Sequence, residues 1–277
     1  MSGTVLTWVA RIAWAAAGVL GWDALDGAPV VAQAAAGLLW LGGVAGLAVP
    51  SVVTLALARV VVPVGLPAAV ATWAAGGPAG TSAGALVAVA AATVAVGAGE
   101  FGQAYAQASA YGHELRFPLR PPPAFLLAAG LAWLLAAAGL VGGVVLLADG
   151  QWLIGVPVTA IGAAVAVFAW PRWYRLARRW LVVVPAGVVV HDHLVLSETV
   201  MFPRADVAAV LLAPVGTDAA DLTGPAPGHP LELRLHHSAT AILAGTPRRP
   251  GGTAIHLTAC LVAPTRPGAA LTALATS

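Results

Sequence analysis

Gly80-Thr81-Ser82-Ala83-Gly84 has the Gly-x-Ser-x-Gly spacing of a serine hydrolase elbow. That elbow needs a strand before it, to present the hydroxyl, and a base within reach. No strand precedes Ser82, which is better placed to cap the helix that follows. An intramembrane serine protease would also need a histidine in a later helix, and every histidine lies at position 113 or beyond, outside the fifth and sixth apolar segments. His191-x-His193 and His236-His237 put imidazoles at strand ends, yet no cysteine or carboxylate completes a metal set and His193 falls in a turn. His256 and Cys260 alternate together, opposite Ile255, Leu257 and Leu261, and read as a satisfied histidine and an inert thiol. No nucleophile–base pair or metal set survives, so no enzyme activity and no cofactor is expected.

The remaining polar candidates are charges. Arg172, Arg175, Arg178 and Arg179 lie within Trp170–Trp180, among Trp170, Trp173, Tyr174 and Trp180. Four guanidinium groups beside anionic headgroups would each contribute about 1 kcal/mol near a membrane surface. The same run also serves as a stop-transfer anchor that only orients the preceding helix. Arg59 and Glu100 are charges near or within apolar segments, where a partner is expected. They suit a structural ion pair better than a solute or proton path, because no carboxylate or histidine stands at mid-depth. Arg248-Arg249, in a Pro/Gly-rich loop, is the one local basic cluster of the C-terminal part and a candidate partner-binding loop.

The elements that must carry these residues are dictated by composition. With 60% hydrophobic and 9% charged residues, the chain departs from the ~25% charged content of soluble domains. All 13 basic residues are arginine and the net charge is +2, so a pI near 9.2 does not signal nucleic-acid affinity. The single cysteine permits no internal disulfide. A signal peptide fits poorly, because no basic residue precedes Val5 and Arg11 interrupts the first apolar run. Apolar segments run roughly over 5–21, 30–49, 52–74, 82–99, 124–148 and 152–169. Most have the ~17–25 residues that span a hydrocarbon core of about 30 Å. Pro50-Ser51 alone divides the second from the third, so five spans with a re-entrant 30–74 is the rival. Pro63, Gly65 and Pro67 should kink the third.

Arginine placement orients the spans. The connections 22–29, 75–81 and 149–151 have no arginine, whereas Arg116 and Arg120 follow the fourth segment and the Trp170–Trp180 cluster follows the sixth. Six spans with both termini cytoplasmic, in a cell membrane, satisfy every connection at once. The longest connection, 100–123, is expected to be functional or to hold an interfacial helix. Gly42-x-x-x-Gly46 and Gly139-x-x-x-Gly143 match a close-packing motif, although such matches arise easily in so Gly-rich a chain.

After Trp180 the period changes. Short β-branched runs at 181–185, 188–191, 194–196, 199–202 and 208–212 are followed by a Gly/Pro/Asp-rich loop, 214–230. Leu231, Leu233 and Leu235 then alternate with polar residues, 240–243 and 253–263 complete about seven strands, and 267–275 reads as a terminal helix. The expected organisation is a helical membrane domain over 1–170, a basic aromatic juxtamembrane hinge over 171–180, and a cytoplasmic β domain over 181–277.

The run 181–212, with "MFPRADVAAVLL", and the final "LVAPTRPGAALTAL" resemble the bacterial pleckstrin-homology-like (PH-like) fold. In that fold a bent seven-strand barrel is closed by a C-terminal helix. With "AYGHELRFPLRPP" at 110–122, the whole chain resembles multi-pass membrane proteins of high-GC Gram-positive bacteria that carry such a domain. The resemblance implies an architecture and supplies no catalytic residues.

Two functions are then expected to compete. In the first, a non-enzymatic membrane protein uses its cytoplasmic domain for partner binding or regulation, with the bilayer's anionic headgroups at its face. Residues 181–277 carry five arginines and six carboxylates, which favours a protein partner over a basic headgroup pocket. In the second, the helices form a small-solute transporter or channel subunit with a regulatory domain. The spans are poor in the midplane polar residues that solute sites use.

Overall fold

The computed structural model describes residues 2–245 and 251–276, and groups them into two compact units. The first, helical unit comprises residues up to Tyr105 together with Ala128–Tyr174; the second, sheet unit comprises Ala106–Leu127 and Arg175 onward.

Six helices among the described residues are long and apolar enough to cross a membrane. They are α1 (Gly3–Ala24), α2 (Val30–Ala48), the continuous run of α3 (Val52–Val61) and α4 (Gly65–Ala74), α5 (Ala79–Gly97), α7 (Pro123–Ala148) and α8 (Trp152–Ala177). The short α6 (Gly99–Gln107) follows α5. Local chemistry sets these limits. Ser2 caps α1, and Ser51 with Thr54 forms a capping box that restarts the chain as α3 directly after α2. Where Pro63, Gly65 and Pro67 are expected to kink the third segment, a 3-10 turn, Val62–Val64, lies between α3 and α4. The turn joining α7 to α8 places Gly150 at φ 78, which a side chain would resist. Outward faces are apolar: Leu153 is 90% exposed and Val94 75%. Such surfaces suit hydrocarbon rather than water.

Within the helical unit, tryptophans and glycines fix the helix pairs. Trp14 of α1 donates its indole N–H to the Trp40 carbonyl of α2 at 3.0 Å, and Trp40 returns one to the Trp14 carbonyl at 3.2 Å. Gly43 lies against the Trp14 ring and Gly18 against the Trp40 ring, so each ring fits where a side chain is missing. Trp133 of α7 donates to the Val60 carbonyl of α3 at 2.9 Å. The Gly-x-x-x-Gly matches are real contacts: Gly46 meets the Ala58 backbone, Gly139 meets Gly162, and Gly143 meets Thr159. Phe101 and Tyr105 of α6 are buried and stacked, with centroids 4.3 Å apart.

In the sheet unit, β1 (Leu115–Pro118), β2 (Arg179–Val184), β3 (Gly187–Asp192) and β4 (Val200–Pro203) form an antiparallel sheet in that order. A second sheet has the order β5 (Val207–Leu212), β7 (Leu231–Leu243), β8 (Thr253–Val262), β6 (Ala220–Asp221). The C-terminal helix α9 (Pro267–Thr276) completes the unit. The core contains Phe117, Leu181, Val190, Phe202, Leu233 and Val262.

Four sequence expectations change here. Residues 106–127 belong with the sheet unit, because β1 pairs along its length with β2. No separate 171–180 hinge intervenes, since α8 continues to Ala177 and β2 starts at Arg179. Leu194–Leu196 is not a strand: Asp192 accepts the Leu194 N–H at 3.0 Å and turns the chain there. The runs at 231–235 and 240–243 are one long strand whose register slips between Arg234 and Ala239.

Candidate functional site

The polar centre of the sheet unit is built where three strands meet. Arg179 begins β2 and Asp192 ends β3, and the antiparallel register makes them direct partners. Both are buried, at 1% and 0% side-chain exposure. The guanidinium grips the carboxylate at both oxygens, Nε–Oδ1 2.7 Å and Nη2–Oδ2 2.6 Å, and Nη1 donates to the Arg120 carbonyl at 2.8 Å. The Arg120 N–H donates to the Ala263 carbonyl at 2.8 Å, and the Leu119 N–H to the Arg179 carbonyl at 3.0 Å. This node therefore ties the segment before α7 to the strand after α8 and to the end of β8. Bidentate geometry with further satisfied donors is what allows such a pair to exist away from water.

Beside it, Trp180 stacks on its cross-strand partner His191 with centroids 5.2 Å apart, and Arg116 of β1 lies 5.3 Å over the indole. Arg116 is held by Glu114 at 2.6 Å, and Gln107 bridges the turn by donating to the Glu114 carbonyl and accepting the Arg116 N–H. His193 meets His191 edge-on at 4.4 Å, and Thr199 hydrogen-bonds His191 Nδ1 at 2.9 Å. Among the described residues, no three His, Cys, Asp or Glu side chains gather as a metal site would require.

Burial pushes the His191 imidazole down to about 4; His193, Arg178 and Arg116 add to the effect and Asp192 opposes it. The unfolded imidazole titrates near 6.5, so the unfolded chain takes up the proton first as pH falls. This contribution to folded stability is complete above pH ~6.5 and is lost as pH drops toward 4. Between pH 7.5 and 5 the loss should be on the order of 1 kcal/mol, allowing for solvent screening of a half-exposed ring. Denaturant midpoints of the full chain in mild detergent should show it, and His191→Gln should flatten it; an equally steep H191Q curve would count against this origin.

A groove of about 520 Å³ runs along the sheet unit between β5, an edge strand, and α9. Arg204, Val207, Ala208, Val210, Leu271 and Leu274 line it. Its walls mix a guanidinium with small and branched apolar side chains, a composition suited to a peptide segment.

The arginine run that looked uniform is divided by structure. Arg172 and Arg175 are exposed, Arg178 is half-buried and Arg179 is buried. Arg179 is therefore removed from the lipid-contact set: it points into the sheet unit and is paired. Arg172 donates to the Phe168 carbonyl at 2.7 Å and lies over the Phe168 ring. The four aromatics of this segment are divided as well. Trp173 is buried and donates to the Ala129 carbonyl at 3.0 Å, and Trp180 is buried against His191 in the sheet unit.

Arg59 and Glu100 form no ion pair. Arg59 Nε donates to the Val96 carbonyl at 3.3 Å, in the last turn of α5. Arg11 does the same for α2, donating to the Leu47 and Ala48 carbonyls at 2.8 Å. Each arginine satisfies helix-end carbonyls of a neighbour and faces the negative end of its dipole. Glu100 occupies the first turn of α6, where the dipole favours an acid. Arg248 and Arg249 lie outside the described residues. Ser82 does not cap α5, which begins after Pro78; it is buried within that helix. Cys260 is in the core, with its thiol pushed up to about 12 by burial and Glu232, whereas His256 is exposed. The register slip opposite Thr258 exchanges the faces of β8 and separates the two.

A second cavity, about 630 Å³, lies in the helical unit among α1, α2, α4 and α5. Its wall is almost wholly apolar and includes neither Arg59 nor Glu100; Thr72 and Ser82 are its hydroxyl residues. Sequence reasoning missed the Arg179–Asp192 node and β1. The alternation Leu115-Arg116-Phe117 was the available signal for β1. No family model, curated protein or solved structure matches this chain.

Proposed function

We propose that this chain is a multi-pass protein of the cell membrane with both termini cytoplasmic, whose sheet unit is a PH-like, non-enzymatic partner-binding or regulatory module. Arginine placement supports the orientation. Strand pairing supports the span count between them: β1 precedes α7 and β2 follows α8, and segments that pair must share a side, as an even number of intervening spans requires. The observation that carries the partner-binding reading is the groove between the edge strand β5 and α9. An edge strand with an adjoining cleft accepts an extended segment by strand addition, the side-chain wall giving selectivity. Anionic headgroups remain a contact for Arg172, Arg175 and Arg178. A small-solute transporter or channel subunit has less support, because the cavity of the helical unit offers a polar solute almost no polar wall.

The test uses the full chain in native membranes, with a photo-crosslinking residue at Ala209 beside the groove. A discrete protein adduct is expected, and Ala208→Trp, which fills the groove, should reduce it at least ~10-fold. An adduct unchanged by Ala208→Trp, or labelling of lipid alone, would overturn the groove as a protein-binding site. Removal of Arg172, Arg175 and Arg178 should leave the adduct intact.

A further inference from the structure

The cavity of the helical unit is graded along the membrane normal. On α1 its wall runs from Trp14 to Ala24, about ten helical steps or 15 Å at the helical rise. That is the depth of one leaflet of a ~30 Å hydrocarbon core. Its deep end is apolar, with Gly65 where α4 begins and Val89 at the middle of α5. Its hydroxyls gather at the other end: Thr72 in the last turn of α4 and Ser82 in the first turn of α5. Trp22, in the last turn of α1, stands at that same end.

Ser82 is the second, independent pointer. It is 1% exposed, and its hydroxyl has no hydrogen-bond partner. The Thr72 hydroxyl, by contrast, is satisfied by the Ala68 carbonyl at 3.1 Å. A buried, unsatisfied hydroxyl costs about 1–3 kcal/mol unless a partner arrives. Its oxygen is shielded and lies beside Gly77, so rotation of the short side chain into the cavity that Ser82 lines is what would bring it a partner. The opening is lateral, since Val19 and Trp22 on the wall are 72% and 59% exposed on the face turned to hydrocarbon.

We propose that this cavity binds a single-chain amphiphile, with its tail against Trp14, Gly65 and Val89 and its hydrogen-bonding head group at Ser82. A chain of one-leaflet length matches the depth, and a head group at the interfacial end matches the polarity. Water matches neither, because the deep wall offers it too few polar partners. The inference rests on the membrane-embedded reading of the helical unit and is independent of what the sheet unit binds. With the orientation proposed above, the site belongs to the outer leaflet. Fatty acids and isoprenoid alcohols share the required chemistry.

The experiment takes the delipidated full chain in mild detergent and adds palmitate or farnesol carrying a diazirine at the tail end. Saturable labelling is expected from one of the two, competed by its unlabelled parent and recovered on peptides containing Trp14 or Val89. Gly21 and Gly37 line the cavity, and a Cβ at Gly21 meets nothing within 4 Å while one at Gly37 meets only the Trp22 ring at 4.0 Å. The double variant Gly21→Leu, Gly37→Leu therefore fills the space without a clash and should weaken labelling about tenfold or more. Ser82→Ala should weaken it about fivefold. Non-saturable labelling of the wild-type chain, or saturable labelling indifferent to the double leucine variant, overturns the site while leaving the membrane reading intact. A chain recovered from cells in the soluble fraction overturns both.

Discussion

Replacing Asp192 with alanine is expected to cost the sheet unit about 3–5 kcal/mol, the penalty for leaving one member of a buried ion pair alone. That is a large share of the ~5–15 kcal/mol that holds a typical domain together. The cost is concentrated because Arg179 has nowhere else to go. Its Nε and Nη2 both end on Asp192, and its side chain is 1% exposed. Asp192→Ala also strips the acceptor from the Leu194 N–H and loosens the turn after β3. Hydrogen exchange of the full chain in detergent should show peptides covering 179–192 opening about 10²–10⁴ times more often. The double variant Arg179→Met, Asp192→Leu should recover much of the loss, since a buried pair exchanged for apolar side chains is often close to neutral. Equal damage from the single and double variants would locate the stabilisation outside the charge pair.

How far the sequence exposes this node depends on the distance over which each interaction acts. The six long helices are legible because apolar length is a local property, and the arginine-free turns at 25–29, 75–78 and 149–151 punctuate them. The break at Pro63 is legible for the same reason. Arg179 is not. Counted along the chain it completes a basic run with Arg172, Arg175 and Arg178, but α8 ends at Ala177 and the strand that follows turns Arg179 inward. One change of period separates an exposed charge from a core one. β1 was hidden more deeply, because Leu115–Pro118 finds its partner β2 only after two membrane-length helices have passed.

The candidate sites divide in the same way. Arg59 and Glu100 suggested a pair because opposite charges in apolar sequence need partners, but helix-end carbonyls are partners too, and sequence does not show which helix ends beside which arginine. The same holds for Arg11 at the end of α2. His256 and Cys260 obey strand alternation on paper, and the register slip in the partner strand undoes it. The two grooves are wholly tertiary. Their walls draw on helices and strands far apart in sequence, and neither has a motif. Ser82 did attract notice in sequence, for a hydrolase spacing that the fold gives no support; its burial beside a cavity is the property that now matters.

Gly162→Ile is expected to be the most damaging single change in the helical unit. The α7–α8 contact is made backbone to backbone: a Cβ at Gly162 would lie 2.6 Å from the Leu140 nitrogen and 2.7 Å from the Gly139 carbonyl carbon. Neither atom belongs to a flexible side chain, so the helices must separate. In hydrocarbon no hydrophobic effect draws them back, and close van der Waals packing is most of what holds a helix pair. The tight turn at Asp149–Gln151 keeps α7 and α8 joined, so separation appears as splaying that also disturbs Gly143 against Thr159. A loss of about 2–4 kcal/mol is expected, the upper range for overpacking. Thermal unfolding of the purified chain in mild detergent, followed by the fraction remaining monodisperse, reads it out. Gly142→Leu is the matched control: a Cβ there meets nothing within 4 Å, so a similar substitution one residue from Gly143 should be close to neutral. Should Gly142→Leu and Gly162→Ile prove equally harmful, the cause would be bulk in the helix rather than contact between helices.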